Sequence, residues 1–309
     1  MTFSASDAAF EGFRLVRRKP MALVAWTLLY AVLSLASLFA MSRAIDPLVA
    51  WAERMEALES ASTTATPEDV LAAFQGLGEV MLNLAWLIPV SLIITAMLTA
   101  AVARAVLNPR AGGFGYLRLG MDELRVFVVT LVLGILMLCA WLAVSVLIIV
   151  LAGIAGATGA NWMWLFVILG GLAGVAAIIW LAVRLCLAVP ITVAENRFAF
   201  FDSFGLTRGR FWPLFGMAVI TIVMVMVVQL LLGIVTMPLA LMTGHQMWSF
   251  GEGQDPETVR AALDVANPWV IVSALAEAVI YALTVGVMYA PFAAAYRDIK
   301  GLGAETPTA

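Results

Sequence analysis

The sequence predicts an all-α, polytopic membrane protein with about six transmembrane helices. Of its 309 residues, 63% are hydrophobic and only 12% are charged, and that charged fraction is about half of the one found in ordinary soluble domains. Apolar stretches of about 20 residues or more, enough for a helix to cross a ~30 Å hydrocarbon core, recur along the chain. None of them alternates with the two-residue period of a barrel strand. We therefore predict one integral membrane domain over residues 1–309.

Six apolar segments have the length of membrane-spanning helices. We place them at about 21–41, 80–103, 126–151, 162–183, 214–241 and 269–295. The first follows a cluster of basic residues, as the apolar core of a signal peptide does, but it is longer than the usual run of about 7 to 15 residues. No clear small-x-small cleavage site closes it. We expect an uncleaved signal anchor, with removal of this segment as the alternative.

Lysine and arginine are distributed unequally between the connections. The N-terminal arm, the second-to-third and fourth-to-fifth connections and the C-terminus hold fourteen of the 17 basic residues, whereas the opposite connections hold Arg43, Arg54 and Arg260. The opposite connections also carry eleven carboxylates. Because basic residues accumulate on the cytoplasmic side of a membrane protein, both termini are predicted in the cytoplasm. The basic side would then face anionic lipid of the inner leaflet.

The approaches to the odd-numbered spans share a pattern of aromatic or aliphatic residues mixed with arginine. Residues 10–17 align with residues 201–208, and residues 117–120 form a looser copy. The pattern is typical of interfacial amphipathic helices. We predict such helices at residues 4–17, 114–124 and 198–210. They favour three repeats of a surface helix plus a helical hairpin, although any chain that enters the membrane from a basic side shares the pattern.

The returning spans each end near an arginine, namely Arg104, Arg184 and Arg297. These side chains either belong to the repeat or simply extend toward the headgroups as anchors. All copies of the repeat start on the same side, so the repeat is parallel. A parallel repeat argues against inverted-repeat transporters and leaves parallel-repeat transporters open.

Residues that could carry catalysis are scarce. His245 is the single histidine of the chain, and a hydrolase triad or a transition-metal site needs more partners than one histidine supplies. The sequence has no Gly-x-x-x-x-Gly-Lys phosphate loop and no dinucleotide-binding fingerprint. We expect no enzymatic activity, no cofactor, no metal and no nucleic-acid partner.

The two basic connections contain the candidate binding residues. Arg118, Asp122 and Arg125 are three to four residues apart, so on one helix they would share a face and pair. That helix would either be tied to the membrane by its own ion pairs or bind a lipid headgroup or a partner protein. Glu195, Arg208 and Arg210 are the candidate residues of the fourth-to-fifth connection.

A structural network and an anionic-headgroup site both fit the Glu195 connection. A third possibility is an intramembrane lipid enzyme, which would require Glu195, Asp202 and Asp122 to converge around one pocket.

Glu277 is the outstanding residue of the sixth span. It lies about two turns inside the apolar segment, where a carboxylate is costly and normally faces a partner or a cavity. A functional role and a hydrogen-bonded structural role are both physical for such a group. Gln229 and Asn83 are milder polar candidates, and three glycines of the fourth span are expected to permit close helix packing.

The second half of the chain carries three short motifs of one family. They are Val-Pro-Ile-x-x-Ala-Glu at 189–195, Ser-Phe-x-Leu-Thr-x-Gly-Arg-Phe-Trp at 203–212, and Pro291 followed by Ala-Tyr-Arg-Asp-Ile at 295–299. This pattern resembles six-helix bacterial membrane proteins related to the membrane domain of glycerophosphoryl diester phosphodiesterases. The first half matches only by its number of helices. The resemblance implies a bacterial inner-membrane protein, but the named relatives owe their activity to a separate soluble domain that this chain lacks.

The sequence thus favours a non-enzymatic inner-membrane module. It would bind membrane lipid or a partner protein and could support envelope organisation. The alternative is a small-solute or ion transporter or channel that uses Glu277. A polar cavity that reaches Glu277 would favour this alternative.

Overall fold

The computed structural model describes residues 4–60, 67–110, 113–118, 120–159, 161–242 and 266–302. Within these ranges every regular element is helical, which confirms the all-α class. The α-helices are α1 Ala5–Ala9, α2 Glu11–Arg18, α3 Pro20–Ser60, α4 Pro67–Ala85, α5 Leu87–Leu107, α6 Met121–Thr158, α7 Met163–Leu185, α8 Ala188–Glu195, α9 Asp202–Thr207, α10 Phe211–Met242 and α11 Pro268–Lys300.

Six helical segments of the described chain are long and apolar enough to cross a membrane, as predicted. They are Pro20–Met55, Gly76–Leu107, Met121–Thr158, Met163–Glu195, Phe211–Pro238 and Pro268–Lys300. The protein is therefore a polytopic, multi-pass membrane protein.

The helices extend beyond the apolar segments that predicted them. α3 has 41 residues, or about 60 Å at 1.5 Å per residue, which is twice the thickness of the hydrocarbon core. The helix continues past the end of the apolar segment, and its C-terminal part contains the charged residues Glu53 and Arg54. The second span is divided at Trp86 between α4 and α5.

The chain divides into two compact units. Unit 1 comprises Met1–Pro20, Ala96–Val225 and Val285–Ala309, and unit 2 comprises Met21–Thr95 and Met226–Thr284. α6 and α7 form a packed hairpin within unit 1. A Cβ atom on Gly174 would lie 2.4 Å from Cγ1 of Val144, so this glycine permits the close packing that the sequence predicts.

Further packing in unit 1 joins the short helices to this hairpin. α8 contacts α6, and α9 contacts both α7 and α8. Ala96 and Ala100 of α5 pack with Val126 of α6, and Val189 and Val193 of α8 cover them. Small alanines let the helix backbones approach closely, as in other membrane bundles.

Unit 2 is held by contacts between its long helices. The rings of Tyr30 and Tyr281 stack with their centroids 5.8 Å apart, which joins α3 to α11. Gln229 of α10 donates a hydrogen bond to Thr284 Oγ1 of α11 at 2.8 Å. A side-chain amide inside a membrane span needs such a partner, and this bond gives Gln229 a structural role.

The predicted surface helices are found in two of three places. α1 and α2 occupy residues 4–17, and α9 occupies part of 198–210, with Phe10, Phe13 and Phe201 exposed. The helix predicted at 114–124 is wrong. A 3-10 turn at Phe114–Tyr116 is followed by extended backbone and then by the start of α6.

Glycines cause this difference. Gly113 and Gly115 adopt φ values of 109° and 65°, and such positive φ values interrupt a right-handed helix. Leu119, which belongs to the predicted range 114–124, lies outside the described residues.

Candidate functional site

Arg104 at the end of α5 organises the first polar cluster of unit 1. It is 8% exposed. Its Nη1 donates a hydrogen bond to the carbonyl oxygen of Tyr116 at 2.5 Å, and its Nη2 pairs with the carboxylate of Glu123. The other oxygen of Glu123 accepts from the backbone N–H of Gly120 at 3.0 Å. Arg104 thereby fixes the first turn of α6 and the turn before it.

Tyr116 occupies a backbone conformation that side chains other than glycine rarely adopt. Its φ is 58°, which for a bulky residue requires support from the surroundings. Besides the bond from Arg104, its hydroxyl donates to the carbonyl oxygen of Pro109 at 2.9 Å, and Lys19 Nζ lies 5.8 Å from its ring centroid. These contacts hold the strained turn in place.

Arg184 at the end of α7 organises the second cluster. Its Nη1 lies 3.4 Å from both the Phe204 carbonyl oxygen and Thr207 Oγ1, and its guanidinium lies 5.4 Å from the ring centroid of Trp180. Ser203 Oγ accepts from the backbone N–H of Leu187 at 3.2 Å, at the break between α7 and α8. Ser203 and Thr207 belong to the Ser-Phe-x-Leu-Thr motif, and here both stabilise the chain.

Glu195 at the end of α8 is the centre of the third cluster. It pairs with Arg197 at 2.7 Å and with Lys300 at 3.3 Å, and it accepts from the Tyr296 hydroxyl at 3.1 Å. Arg197 also pairs with Asp202 at 2.5 Å. Its hydrogen bond to Glu195 and its pair with Asp202 raise the pKa of Arg197 above its ordinary value, so the guanidinium stays charged.

Arg297 near the end of α11 makes a fourth connection. It lies 3.6 Å from the buried Glu11 of α2, and Glu11 also binds Arg14 at 3.3 Å. An arginine near the end of each returning span therefore contacts the segment that begins a hairpin: Arg104 contacts α6, Arg184 contacts α9, and Arg297 contacts α2. We call these three residues the linking arginines. The last of them closes the series onto the N-terminal helices.

The structure separates the predicted site residues. Asp122 and Arg125 pair at 2.7 Å, as predicted, but Arg118 precedes α6 and does not share its helical face. Glu195 and Asp202 both form ion pairs with Arg197, whereas Asp122 forms a separate ion pair with Arg125. In the described chain, no three histidine, cysteine or acidic side chains are grouped as a metal site.

Arg208 and Arg210 are exposed. Asn196, in the left-handed region with a φ of 50°, ends α8 just before Arg197. His245 lies outside the described residues.

Glu277 belongs to a cavity within unit 2. The cavity has a volume of about 630 Å³. Its polar lining consists of Tyr30, Ser34, Ser37, Ser273, Glu277 and Tyr281, and leucine, methionine, valine and alanine side chains supply the rest. Glu277 is an exposed residue of α11, and its side chain lines this cavity.

Residues 6–299 match the family described as Domain of unknown function (DUF7847). The chain belongs to this family. The match runs from α1 into the last turn of α11, so it covers unit 2 completely and all of unit 1 except its two ends. Neither a search of curated proteins nor a search of solved structures finds a match. The resemblance to the phosphodiesterase membrane domains stays a prediction.

The cavity residues on α3 were not predicted from the sequence. Tyr30, Ser34 and Ser37 recur at intervals of three to four residues, and so do Ser273, Glu277 and Tyr281 on α11. Each set therefore shares one helix face. This spacing could have predicted a polar face on each helix, because serine and tyrosine stand out in an otherwise apolar span. That the two faces line the same cavity follows only from the tertiary structure.

Proposed function

We propose that this protein is a non-enzymatic module of the bacterial inner membrane, with both termini in the cytoplasm, whose basic side binds anionic lipid headgroups. The orientation is supported by the fourteen-to-three distribution of basic residues between the two sets of connections. The bacterial inner membrane is supported by the motifs at 189–195, 203–212 and 291–299, which resemble those of six-helix bacterial membrane proteins.

The ion pairing of unit 1 carries the proposal. All seven carboxylates of its described residues are held in ion pairs: Asp7, Glu11, Asp122, Glu123, Glu195, Asp202 and Asp298. The same unit contains fourteen lysines and arginines. Its excess charge is therefore positive, and its acids are occupied by internal partners.

The placement of Arg208 and Arg210 supports contact of this positive charge with lipid headgroups. Both are exposed, and they lie between Phe201, which is 61% exposed, and Trp212, which is 75% exposed. Trp212 stands in the first turn of α10, at the boundary of a span, where indoles favour the headgroup region. Arginines beside such an anchor lie at headgroup depth and favour anionic lipid by about 1 kcal/mol each.

Lipid selectivity tests this proposal. In nanodiscs that contain phosphatidylglycerol and phosphatidylcholine, we expect native mass spectrometry to find phosphatidylglycerol enriched on the released protein. Arg208→Gln combined with Arg210→Gln should reduce that enrichment by roughly fivefold for each residue.

A matched control comes from the acidic side of the chain. Arg43→Gln combined with Arg54→Gln removes the same charge there and should leave the enrichment unchanged. If both double variants retain phosphatidylglycerol as the wild type does, the headgroup proposal is wrong.

Transport of a small solute is the second candidate function. The cavity that contains Glu277 is the observation that favours it. Because transport requires that the solute bind first, the residues that line this cavity would determine which solute it accepts.

A further inference from the structure

The cavity of unit 2 has a one-sided charge. Among the described residues that line it, Glu277 is the one carboxylate, and none is lysine, arginine or histidine. Glu277 lies nine residues after Pro268, or about 14 Å along the axis of α11 at 1.5 Å per residue. An acidic side chain within a membrane-spanning helix normally faces a partner or a cavity, and Glu277 lines this cavity.

An aromatic ring lies on the same helix face as the carboxylate. Tyr281 follows Glu277 by one helical turn and is 50% exposed. Its ring stacks on Tyr30, which fixes the ring orientation. A cation over the face of a tyrosine ring is stabilised by the electrons of that ring. Glu277 and Tyr281 thus offer two attractions of the same sign to one ligand.

The rest of the lining defines the size and shape of that ligand. The volume of about 630 Å³ falls within the range of roughly 300 to 1,000 Å³ that is typical of small-molecule sites. The walls include Leu33, Leu38, Met41 and Val270, which favour an apolar body. Inorganic metal ions require several ligating side chains, and in the described chain no cluster of three acidic, histidine or cysteine side chains is found.

We propose that this cavity binds one organic cation with an apolar body, its charge against Glu277 and the ring of Tyr281. The three serines supply small polar walls, which leave room for the body of the ligand and accept or donate hydrogen bonds at its edges. The site differs from the headgroup-binding arginines in residues and in the sign of its ligand. Failure of either proposal therefore leaves the other standing.

Two ions of the same shape and opposite charge test the proposal. Tetraphenylphosphonium is a cation with an apolar body, and tetraphenylborate is its anionic counterpart. With the purified full chain in detergent micelles, equilibrium dialysis against each ion should show saturable binding of the cation at one site per chain. The anion should show only the partition that empty micelles show.

Glu277→Gln removes the charge and keeps the size of the side chain. The loss of a charge-assisted contact should weaken cation binding by roughly 10- to 100-fold. Glu53→Gln is the matched control, because Glu53 is an exposed carboxylate of α3 that does not line the cavity. This control should bind the cation with the affinity of the wild type.

Ser37→Phe tests the cavity without touching the carboxylate, and it keeps the proposal testable if Glu277→Gln fails to fold. The added ring would fill part of the cavity that Ser37 lines and should abolish saturable binding. Equal binding of both ions, unchanged affinity in Glu277→Gln, or unchanged affinity in Ser37→Phe would each overturn the proposal. Displacement of the cation by phosphatidylglycerol with equal efficiency in the wild type and in Glu277→Gln would identify a lipid-tail groove and would overturn it as well.

Discussion

Arg104→Met is expected to cost 3 to 5 kcal/mol of unfolding free energy, on the order of the loss seen when one partner of a buried ion pair is removed. The substitution leaves the Glu123 carboxylate, whose side chain is 8% exposed, without its guanidinium. It also removes the hydrogen bond that holds the positive-φ turn at Tyr116. Unfolding by added denaturing detergent, followed by circular dichroism, measures this loss.

A double-mutant cycle separates the pair from its surroundings. Arg104→Met combined with Glu123→Met removes both charges and should recover much of the stability, since an apolar replacement of a whole buried pair is often close to neutral. Arg125→Met is the matched control: it breaks the half-exposed pair with Asp122, for which less than about 1 kcal/mol is expected. A loss from Arg104→Met no greater than the loss from Arg125→Met would contradict the role of Arg104.

Gly12→Ala is expected to release α2 from α11, with a loss of about 1 to 3 kcal/mol or more from overpacking. A Cβ atom at this position would lie 2.5 Å from the Cα atom of Val287 and 2.9 Å from the carbonyl oxygen of Gly286. Both are backbone atoms of a membrane-spanning helix, so no rotamer change relieves the contact. The separation would also break the pair of Glu11 with Arg297.

Gly216→Ala provides the comparison for Gly12. A Cβ atom on Gly216 meets no atom within 4 Å, and alanine has the higher helix propensity, so this variant should be neutral or slightly stabilised. Spin labels on α2 and α11 measure the distance between these helices directly. If Gly12→Ala retains both the wild-type distance and the wild-type stability, the close contact of α2 with α11 is not a structural requirement.

Hydropathy predicted the spans but not the full helices. The energy of lipid burial fixes where apolar residues lie, and each of the six segments contains such a stretch. It does not determine where a helix ends outside the membrane. The continuation of α3 to Ser60 could therefore not be predicted from hydropathy. Arg118 was misplaced for a related reason: its spacing to Asp122 fits a helix, but Gly113 and Gly115 take left-handed conformations upstream of it.

The polar clusters were predicted in part. The clustering of Glu195 with its arginine follows from local sequence, because Glu195, Arg197 and Asp202 lie within eight residues of one another. The contacts of Tyr296 and Lys300 with Glu195 depend on the placement of α11 beside α8. The destinations of the linking arginines depend in the same way on helix packing, which a single sequence does not specify.

The sidedness of the basic connections tests the central claim most directly, because headgroup binding in the cytoplasmic leaflet requires that these connections face the cytoplasm. The two free cysteines, Cys139 and Cys186, would first be replaced by serine. Glu53→Cys and Asn108→Cys, both at exposed positions, then place a single thiol on the acidic and the basic side.

A membrane-impermeant maleimide is applied to intact cells and to permeabilised cells. We expect the Glu53→Cys variant to be labelled in intact cells and the Asn108→Cys variant only after permeabilisation. Labelling of the Asn108→Cys variant in intact cells, with the Glu53→Cys variant protected until permeabilisation, would contradict the account.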